Sequence, residues 1–408
     1  MRDVELYQQI LGLEEPWKVW EVELNIEEGR VDLRVEHPEG RKWQCPHCAR
    51  ELSCYDHSPE RTWRHLDTCQ LETHLHARIP RVQCPEHGVV QVAVPWAEER
   101  GRFTLLMERF IIQALLACQT TQGACDLMRI SWDQAWHVAE RAVARGQSRK
   151  EVVVTPRIGV DEKAFRKGHS YMTVVNDIDR GTVEYVTEDR EKASLERYYA
   201  TLTDEQRQGI EAVAMDMWEP YVQATLEALP LAKEKIVYDR FHIMQHLTRA
   251  VDKVRKAENR ALSQEGDERL KKTKYLWLTT EENLSEKQRP TFAALKRSDL
   301  KTARAWGIKE NLRNLWSYTS PGWAKRFFKT WYRWTSRSRL EPVKQVAQMI
   351  QRRLENVVTY CKHFVTNAVA EGLNSTIMSL KRRAGGFRNP ENFKTAIYFH
   401  CGGLSLYP

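Results

Sequence analysis

Trp17 to Leu24 alternates apolar and polar side chains, Glu27-Glu28-Gly29-Arg30 turns the chain, and Val31 to Val35 alternates again. A period of two on both sides of a glycine-containing turn predicts a β-hairpin, with a short helix before it. A further strand-like stretch leads to Cys84. From 103 to 146 the period lengthens, and Phe110, Ile111, Ala114 and Leu115 are spaced to share one helix face. Thr120 to Met128 and Ser131 to Ala144 then read as two helices across a very short turn, with Ser131 as N-cap of the second. Past residue 151 strands alternate with helices. Val152-Val153-Val154, Arg157 to Val160, Ser170 to Asp177, Thr182 to Thr187, Glu211 to Asp216 and Lys235 to Asp239 read as strands. Ser194 to Thr201 and Trp218 to Leu229 read as helices, and residues 246–380 are almost wholly helical in pattern. No internal repeat or low-complexity tract interrupts the chain.

Composition adds a class. The 408 residues are 42% hydrophobic and 29% charged, which is globular and long enough for several buried cores. No run approaches the roughly eighteen apolar residues of a membrane helix, and Met1 to Trp17 lacks the apolar core of a signal peptide. Nine cysteines without an export signal argue against a disulfide framework, so an intracellular, non-membrane protein is expected. Charge is distributed unevenly. Residues 1–245 hold 31 Lys and Arg against 41 Asp and Glu, whereas residues 246–360 hold 26 against 12. A basic block of that strength, interleaved with aromatics, points to a polyanionic partner.

Two clusters carry metal chemistry. Cys45 and Cys48 are spaced to reach one tetrahedral ion from a tight turn; Cys84 and His87 repeat the spacing, and proline follows the first cysteine in both. Each cluster closes a predicted strand, the arrangement of a zinc ribbon or finger. Cys54, Cys69, His47 and His57 compete as ligands. Four protein ligands leave no open position, so this zinc would be structural. The helix pair spanning Gln119 to Gly146 fits a helix-turn-helix, whose recognition helix, Ser131 to Arg145, would project Trp132, Gln134 and His137 toward DNA.

The strand-like Ile158 to Asp161 and Val213 to Asp216 both end in a carboxylate. Strand tips face the crevice where open α/β sheets place ligands, and two adjacent tips can share divalent ions such as Mg²⁺. A third carboxylate from a helix would complete a two-metal site for phosphodiester chemistry.

Gly159-Val160-Asp161-Glu162-Lys163, His169-Ser170-Tyr171, Met215-Asp216-Met217, Asp239-Arg240-Phe241-His242 and Ala370-Glu371-Gly372-Leu373-Asn374 occur in that order. Together they resemble the DDE transposases of bacterial insertion sequences, specifically the ISL3 family. The tail from Leu380 to Asn389, the front Cys-Pro-x-Cys and Val94-Pro95-Trp96-Ala97-Glu98 are similar to that family as well, so the resemblance covers nearly the whole chain.

The resemblance implies an α/β fold with a ribonuclease-H-like core interrupted by a long helical insertion, behind a zinc-binding module and a helix-turn-helix. Asp161, Asp216 and Glu371 would be the Mg²⁺ (or Mn²⁺) triad. The expected domains are 1–100 for hairpin and zinc module, 101–150 for the helix-turn-helix, 151–245 and 361–408 for the core, and 246–360 for the insertion. Asp239 and His242 would support the metals or position DNA, and Asn374 with Lys381-Arg382-Arg383 would bring polar and cationic groups to the same place. Two departures from the family pattern stand out: Met378 replaces a common Lys, and His87 stands where a second Cys-x-x-Cys is usual.

In the insertion, most of its many aromatics should be core, but Trp331-Tyr332-Arg333-Trp334 puts rings on several helix faces. Trp331 and Trp334 are therefore candidates to stack on a frayed base. The function implied is cut-and-paste transposition in the bacterial cytoplasm, with DNA as partner at terminal inverted repeats and at the target, and a homodimer to hold two ends. A transposase-derived regulator that binds without cutting is the alternative. A compact ribonuclease-H-like nuclease or junction resolvase fits less well, because such enzymes lack these front modules.

Overall fold

A computed structural model describes residues 2–151, 153–166, 170–365 and 368–408. Val152 and His169 lie outside the described residues. The chain divides into two compact units: Met1–Lys150 with Arg382–Gly386 and Tyr398–Pro408, and Glu151–Lys381 with Phe387–Ile397.

In the first unit, α1 (Asp3–Ile10) precedes strands β1 (Lys18–Asn25), β2 (Arg30–Glu36), β3 (Lys42–Gln44), β4 (Glu51–His57), β5 (Arg61–Arg64), β6 (Glu72–Ala77), β7 (Pro80–Cys84) and β8 (Gly88–Gln91). They form two four-stranded sheets, ordered β1-β2-β6-β5 and β3-β4-β7-β8. The hairpin β1–β2 has the expected register, broken by a bulge between Val19 and Glu21. That extra residue is Trp20, which breaks the apolar–polar alternation and is 51% exposed. The core is rich in indole: Trp17 meets Trp96 edge-on at 4.9 Å, and Trp96 meets Trp63 at 5.6 Å.

Three helices follow: α2 (Leu105–Ala117), α3 (Thr121–Met128) and α4 (Trp132–Ser148). Each starts on a hydroxyl cap, Thr104, Thr120 and Ser131, and Ser131 with Gln134 forms a full capping box. Arg129 in the left-handed region (φ 52°) ends α3 and makes the short turn. Ile111, Ala114 and Leu115 are buried as spaced, but Phe110 is 46% exposed. Buried Glu108 on α2 holds Arg141 and Arg145 of α4, each at 2.5 Å. Phe399 and Leu406 pack into this helical core, so Tyr398–Pro408 belongs to the first unit rather than to the second.

The second unit begins with β9 (Arg157–Arg166), β10 (Ser170–Asp177) and β11 (Thr182–Glu188). Then come α5 (Lys192–Thr201), α6 (Asp204–Gly209), β12 (Ala212–Met215), α7 (Glu219–Ala228), α8 (Ala232–Lys235) and β13 (Ile236–Tyr238). The sheet order is β11-β10-β9-β12-β13, with β9 to β11 antiparallel and β12 and β13 parallel to β9. Val153 and Val154 form no strand, so the predicted strand at 152–154 is absent where the chain is described. Gly159 has a positional reason: a Cβ there would come within 2.6 Å of Asn176 Oδ1 on the neighbouring strand.

The rest is helical: α9 (Arg240–Gln264), α10 (Lys274–Leu278), α11 (Gln288–Lys296), α12 (Lys301–Leu312), α13 (Pro321–Ser336), α14 (Glu341–Arg352), α15 (Leu354–Val358), α16 (Tyr360–His363), α17 (Ala368–Arg383) and α18 (Pro390–Cys401). One apolar core runs from the sheet's Ile158 and Val213 through α9 into these helices.

Candidate functional site

The cysteine clusters close into one group. Cys45 follows β3 and Cys84 ends β7, and the ligand atoms of Cys45, Cys48, Cys84 and His87 all lie within 4.8 Å of one another. Cys48 and Cys84 sulfurs are 3.7 Å apart, and His87 Nδ1 is 3.4 Å from Cys84. The residue after each pair, Ala49 (φ 57°) and Gly88 (φ 71°), takes the left-handed conformation that turns the chain behind the ligands. Hydrogen bonding to His87 draws the Cys84 thiol down to about 6, so a thiolate forms readily where a cation would sit. The competing ligands are not in this set: Cys54 donates to the Asp56 carbonyl, Cys69 is exposed, His57 pairs with His37 at 3.0 Å, and His47 packs its ring beside His87 at 5.0 Å. Three thiolates and an imidazole are the donor set of a structural zinc site.

On α4, Trp132 is 42% exposed and stacks on Trp136 with the rings 7° from parallel. His137 is exposed. Gln134 is half-buried, and its side-chain oxygen accepts the Ser131 N–H at 2.8 Å, so that atom serves the cap. Gln134 also lines a cavity of about 500 Å³ with Arg61, Arg64, His74, Arg100 and Arg102. The 100–104 loop is pinned to β5 there by Arg64 N–H to Arg102 O and Thr104 N–H to Arg64 O, both 3.0 Å. Nothing local in the sequence announces these arginines, because the fold gathers them from β5 and a loop some forty residues on.

In the second unit the carboxylates line up. Val213 pairs with Ile158 and Ala214 with Gly159, while Val213 pairs with Ile236 and Met215 with Tyr238. The same registers carried forward set Asp216 beside Asp161 and Asp239 beside Asp216. Asp161 is not a strand tip, as the sequence suggested, because β9 continues to Arg166 on its pairing with β10. Backbone amides orient all three: Glu162 N–H to Asp161 Oδ1 at 2.7 Å, Trp218 N–H to Asp216 Oδ1 at 2.8 Å, and Phe241 N–H to Asp239 Oδ1 at 2.9 Å. Lys163 Nζ lies 3.1 Å from Asp161 Oδ2, and His242 lies 3.8 Å from Asp239.

Helix α17 reaches this row through Asn374, whose amide donates to Asp161 Oδ2. Glu371 is exposed one turn earlier on the same helix face. Among the described residues, Asp161, Asp216 and Glu371 do not form a group as tight as the cysteine set. Lys381 Nζ donates to the Ala164 carbonyl at 2.7 Å. Arg382 and Arg383 are exposed and belong to the first unit.

A residue the sequence reading passed over sits beside the row. Burial pushes the Glu162 carboxyl up to about 7, with the charges of Asp216 and Asp161 adding and Arg190 opposing. Arg190 pairs with Glu162 at 3.2 Å and covers the Trp218 ring at 3.9 Å. In the insertion, Trp331 is corrected: it is 2% exposed and donates its indole N–H to the Ile308 carbonyl at 2.9 Å, so it cannot stack on a base. Trp334 is 43% exposed.

Residues 158–397 match the family model DDE_Tnp_ISL3, described as a transposase; residues 41–87 match the zinc finger of transposases IS204/IS1001/IS1096/IS1165; residues 92–143 match the helix-turn-helix domain of transposase family ISL3. The chain is 29% identical over 420 residues to the transposase for insertion sequence element IS1557 of Mycobacterium tuberculosis, covering 96% of this chain and 94% of that protein. It is 26% identical over 390 residues to the transposase for insertion sequence element IS1001 of Bordetella parapertussis, covering 94% and 95%.

Proposed function

The chain belongs to the ISL3 family of transposases, and from that premise we propose that it cuts the ends of its own element and joins them to target DNA, using divalent ions held by Asp161, Asp216 and Glu371. The observation that supports this reading is the parallel register of β9 and β12, in which Gly159 pairs with Ala214, so that Asp161 on β9 and Asp216 just past the end of β12 each follow that pair by two residues, with α17 tied to Asp161 through Asn374. The donor chemistry fits: carboxylate oxygens suit Mg²⁺ or Mn²⁺, which keep several waters and need few protein ligands. When bound, such ions polarise the scissile phosphate and make water, and then the freed 3′-hydroxyl, a competent nucleophile.

The protein's own groups prepare that chemistry. The amides of Glu162 and Trp218 fix the rotation of the two aspartates, so each carboxylate presents a defined oxygen before DNA arrives. Asn374 ties α17 to Asp161 in the middle of β9, and Glu371 stands one turn earlier on that helix. Asp239 with His242, level with Asp216, gives a further acid and imidazole for positioning the substrate. The strand order β11-β10-β9-β12-β13, with two parallel strands after an antiparallel trio, supports a ribonuclease-H-like core, in which α9 to α16 would be the insertion.

Structural zinc on Cys45, Cys48, Cys84 and His87 would fix the first unit, and α4 would read the terminal inverted repeats. The arginine-lined cavity beside Gln134 suits a flanking phosphate. Two ends must be held at once, so the working species is at least a homodimer.

Incubating the protein with labelled DNA bearing the element end, in Mg²⁺ or Mn²⁺, tests the function. Metal-dependent nicking at the repeat boundary followed by joining to a second DNA is expected. Tight, sequence-specific binding without any cut would instead establish a regulator.

A further inference from the structure

The 16-residue helix α13, PGWAKRFFKTWYRWTS, contains no acidic residue. Ala324, Phe328, Trp331 and Thr335 form its buried side. At 100° per residue, Arg326, Arg333 and Arg337 form a stripe facing away from it, with Lys329 and Trp323 flanking the stripe and Trp334 about a quarter turn from the buried side. All six are exposed, Trp323 by 59%.

Among the described residues, none of Arg326, Lys329, Arg333 and Arg337 makes an ion pair, whereas Lys325 on the flank is matched by Glu355 at 2.6 Å. Elsewhere in the helical block Lys296 is matched by Glu281, Arg313 by Glu310 and Lys344 by Glu341, while Arg304, Arg339 and Arg352 are in no ion pair among the described residues. The Arg326 guanidinium rests over the Trp323 ring at 5.3 Å, which fixes it on the surface rather than burying it. From Arg326 to Arg337 the stripe is about 16 Å long at 1.5 Å per residue, the rise of about five base-pair steps. Four unneutralised charges repel one another, and among the described residues no carboxylate pairs with any of them to offset that.

We propose that this face of α13 is a DNA-binding surface. Its four cations contact successive backbone phosphates, and the exposed rings of Trp323, before Arg326, and Trp334, between Arg333 and Arg337, lie against bases or sugars. Charge complementarity selects the occupant: the helix carries cations and no carboxylate, and exposed aromatics set among those cations match a polyphosphate carrying stackable bases. The inference rests on the chain acting on DNA, and it assigns part of that contact to a helix outside the zinc and helix-turn-helix modules.

The test uses the full chain with Arg326, Lys329, Arg333 and Arg337 all changed to Gln, beside the single variant Arg333→Gln and the recognition-helix variant His137→Ala. Binding to element-end duplex and to scrambled duplex is measured across a salt series. The quadruple variant should lose about 3 to 4 units, and Arg333→Gln about one unit, from the slope of log K against log salt on both duplexes. The preference for the element end should survive in both, because phosphate contacts carry no sequence information. His137→Ala should do the reverse, lowering the preference and sparing most of the slope. Trp334→Ala should weaken binding of DNA with an unpaired end about ten-fold. Wild-type slope and affinity in the quadruple variant, on both duplexes, would overturn the proposal and leave the face to a protein partner. Absence of any preference in the wild type would instead count against the transposase reading, and the slope comparison would still judge α13.

Discussion

Two tryptophans three residues apart on α13 should answer alanine substitution in opposite ways. Trp331 is 2% exposed, and its indole N–H is spent on the Ile308 carbonyl. A buried indole removes about 200 Å² from water, worth about 5 kcal/mol at about 25 cal/mol per Å². Truncation also removes the indole hydrogen bond and leaves a cavity that the surrounding Phe328 and α12 fill only in part. We therefore expect Trp331→Ala to destabilise the helical block by about 5 kcal/mol, the top of the range for truncating a buried aromatic and a large share of a typical domain's 5–15. Trp334 is 43% exposed and its substitution should change stability by no more than about 0.5 kcal/mol.

Because the chain has two compact units, a single global melt would blur the result. Hydrogen exchange of the 300–360 amides, with urea unfolding followed by helical circular dichroism, isolates the affected block. Loss of protection in Trp331→Ala alone is the expected outcome. Equal protection in both variants would show that the assigned burial, and with it the orientation of the α13 stripe, is wrong.

Zinc should be present at one ion per chain; Cys84→Ser or a chelator should remove it and unfold the first unit, whereas Cys69→Ser should leave the content unchanged, as metal analysis will show. Burial lowers His65 to about 4, with its ring bonded to Thr104 at 2.8 Å. Its contribution is complete above the ordinary value near 6.5 and is lost as pH falls toward 4. The first unit should weaken by up to about 3 kcal/mol over that window, and His65→Gln should flatten the pH profile of hydrogen exchange there. Asn374→Ala frees Asp161 from α17, so cleavage should fall at least ten-fold while binding to element-end DNA is kept. A single-turnover assay beside a binding titration separates the two effects.

Local patterns carried much of this fold into the sequence. The Ser131 capping box, the hydroxyl caps of α2 and α3 and the apolar strand Ser170–Asp177 depend on near neighbours, so their residues announce them. The zinc set was legible as paired spacings, but Cys54 and His57 could be dismissed only once β4 was seen to turn them toward other partners. Trp331-Tyr332-Arg333-Trp334 shows why aromatic content alone misleads: a helix must bury some of those rings, and only the approach of Ile308 selects Trp331. Asp161 was misplaced by five residues relative to its strand end because pairing with β10, not composition, decides how far β9 runs. Glu162 and Arg190 went unnoticed because their importance arises from desolvation and from Asp216, which lies 54 residues beyond Glu162.

The most direct test of the account replaces Asp216 with cysteine and compares Mg²⁺ with Mn²⁺ in single-turnover cleavage of element-end DNA. A thiolate ligand disfavours Mg²⁺ and tolerates the softer Mn²⁺. Full binding is expected, with cleavage abolished in Mg²⁺ and partly restored in Mn²⁺. Cleavage at the wild-type rate in Mg²⁺ would contradict it, because Asp216 would then hold no ion on which the reaction depends.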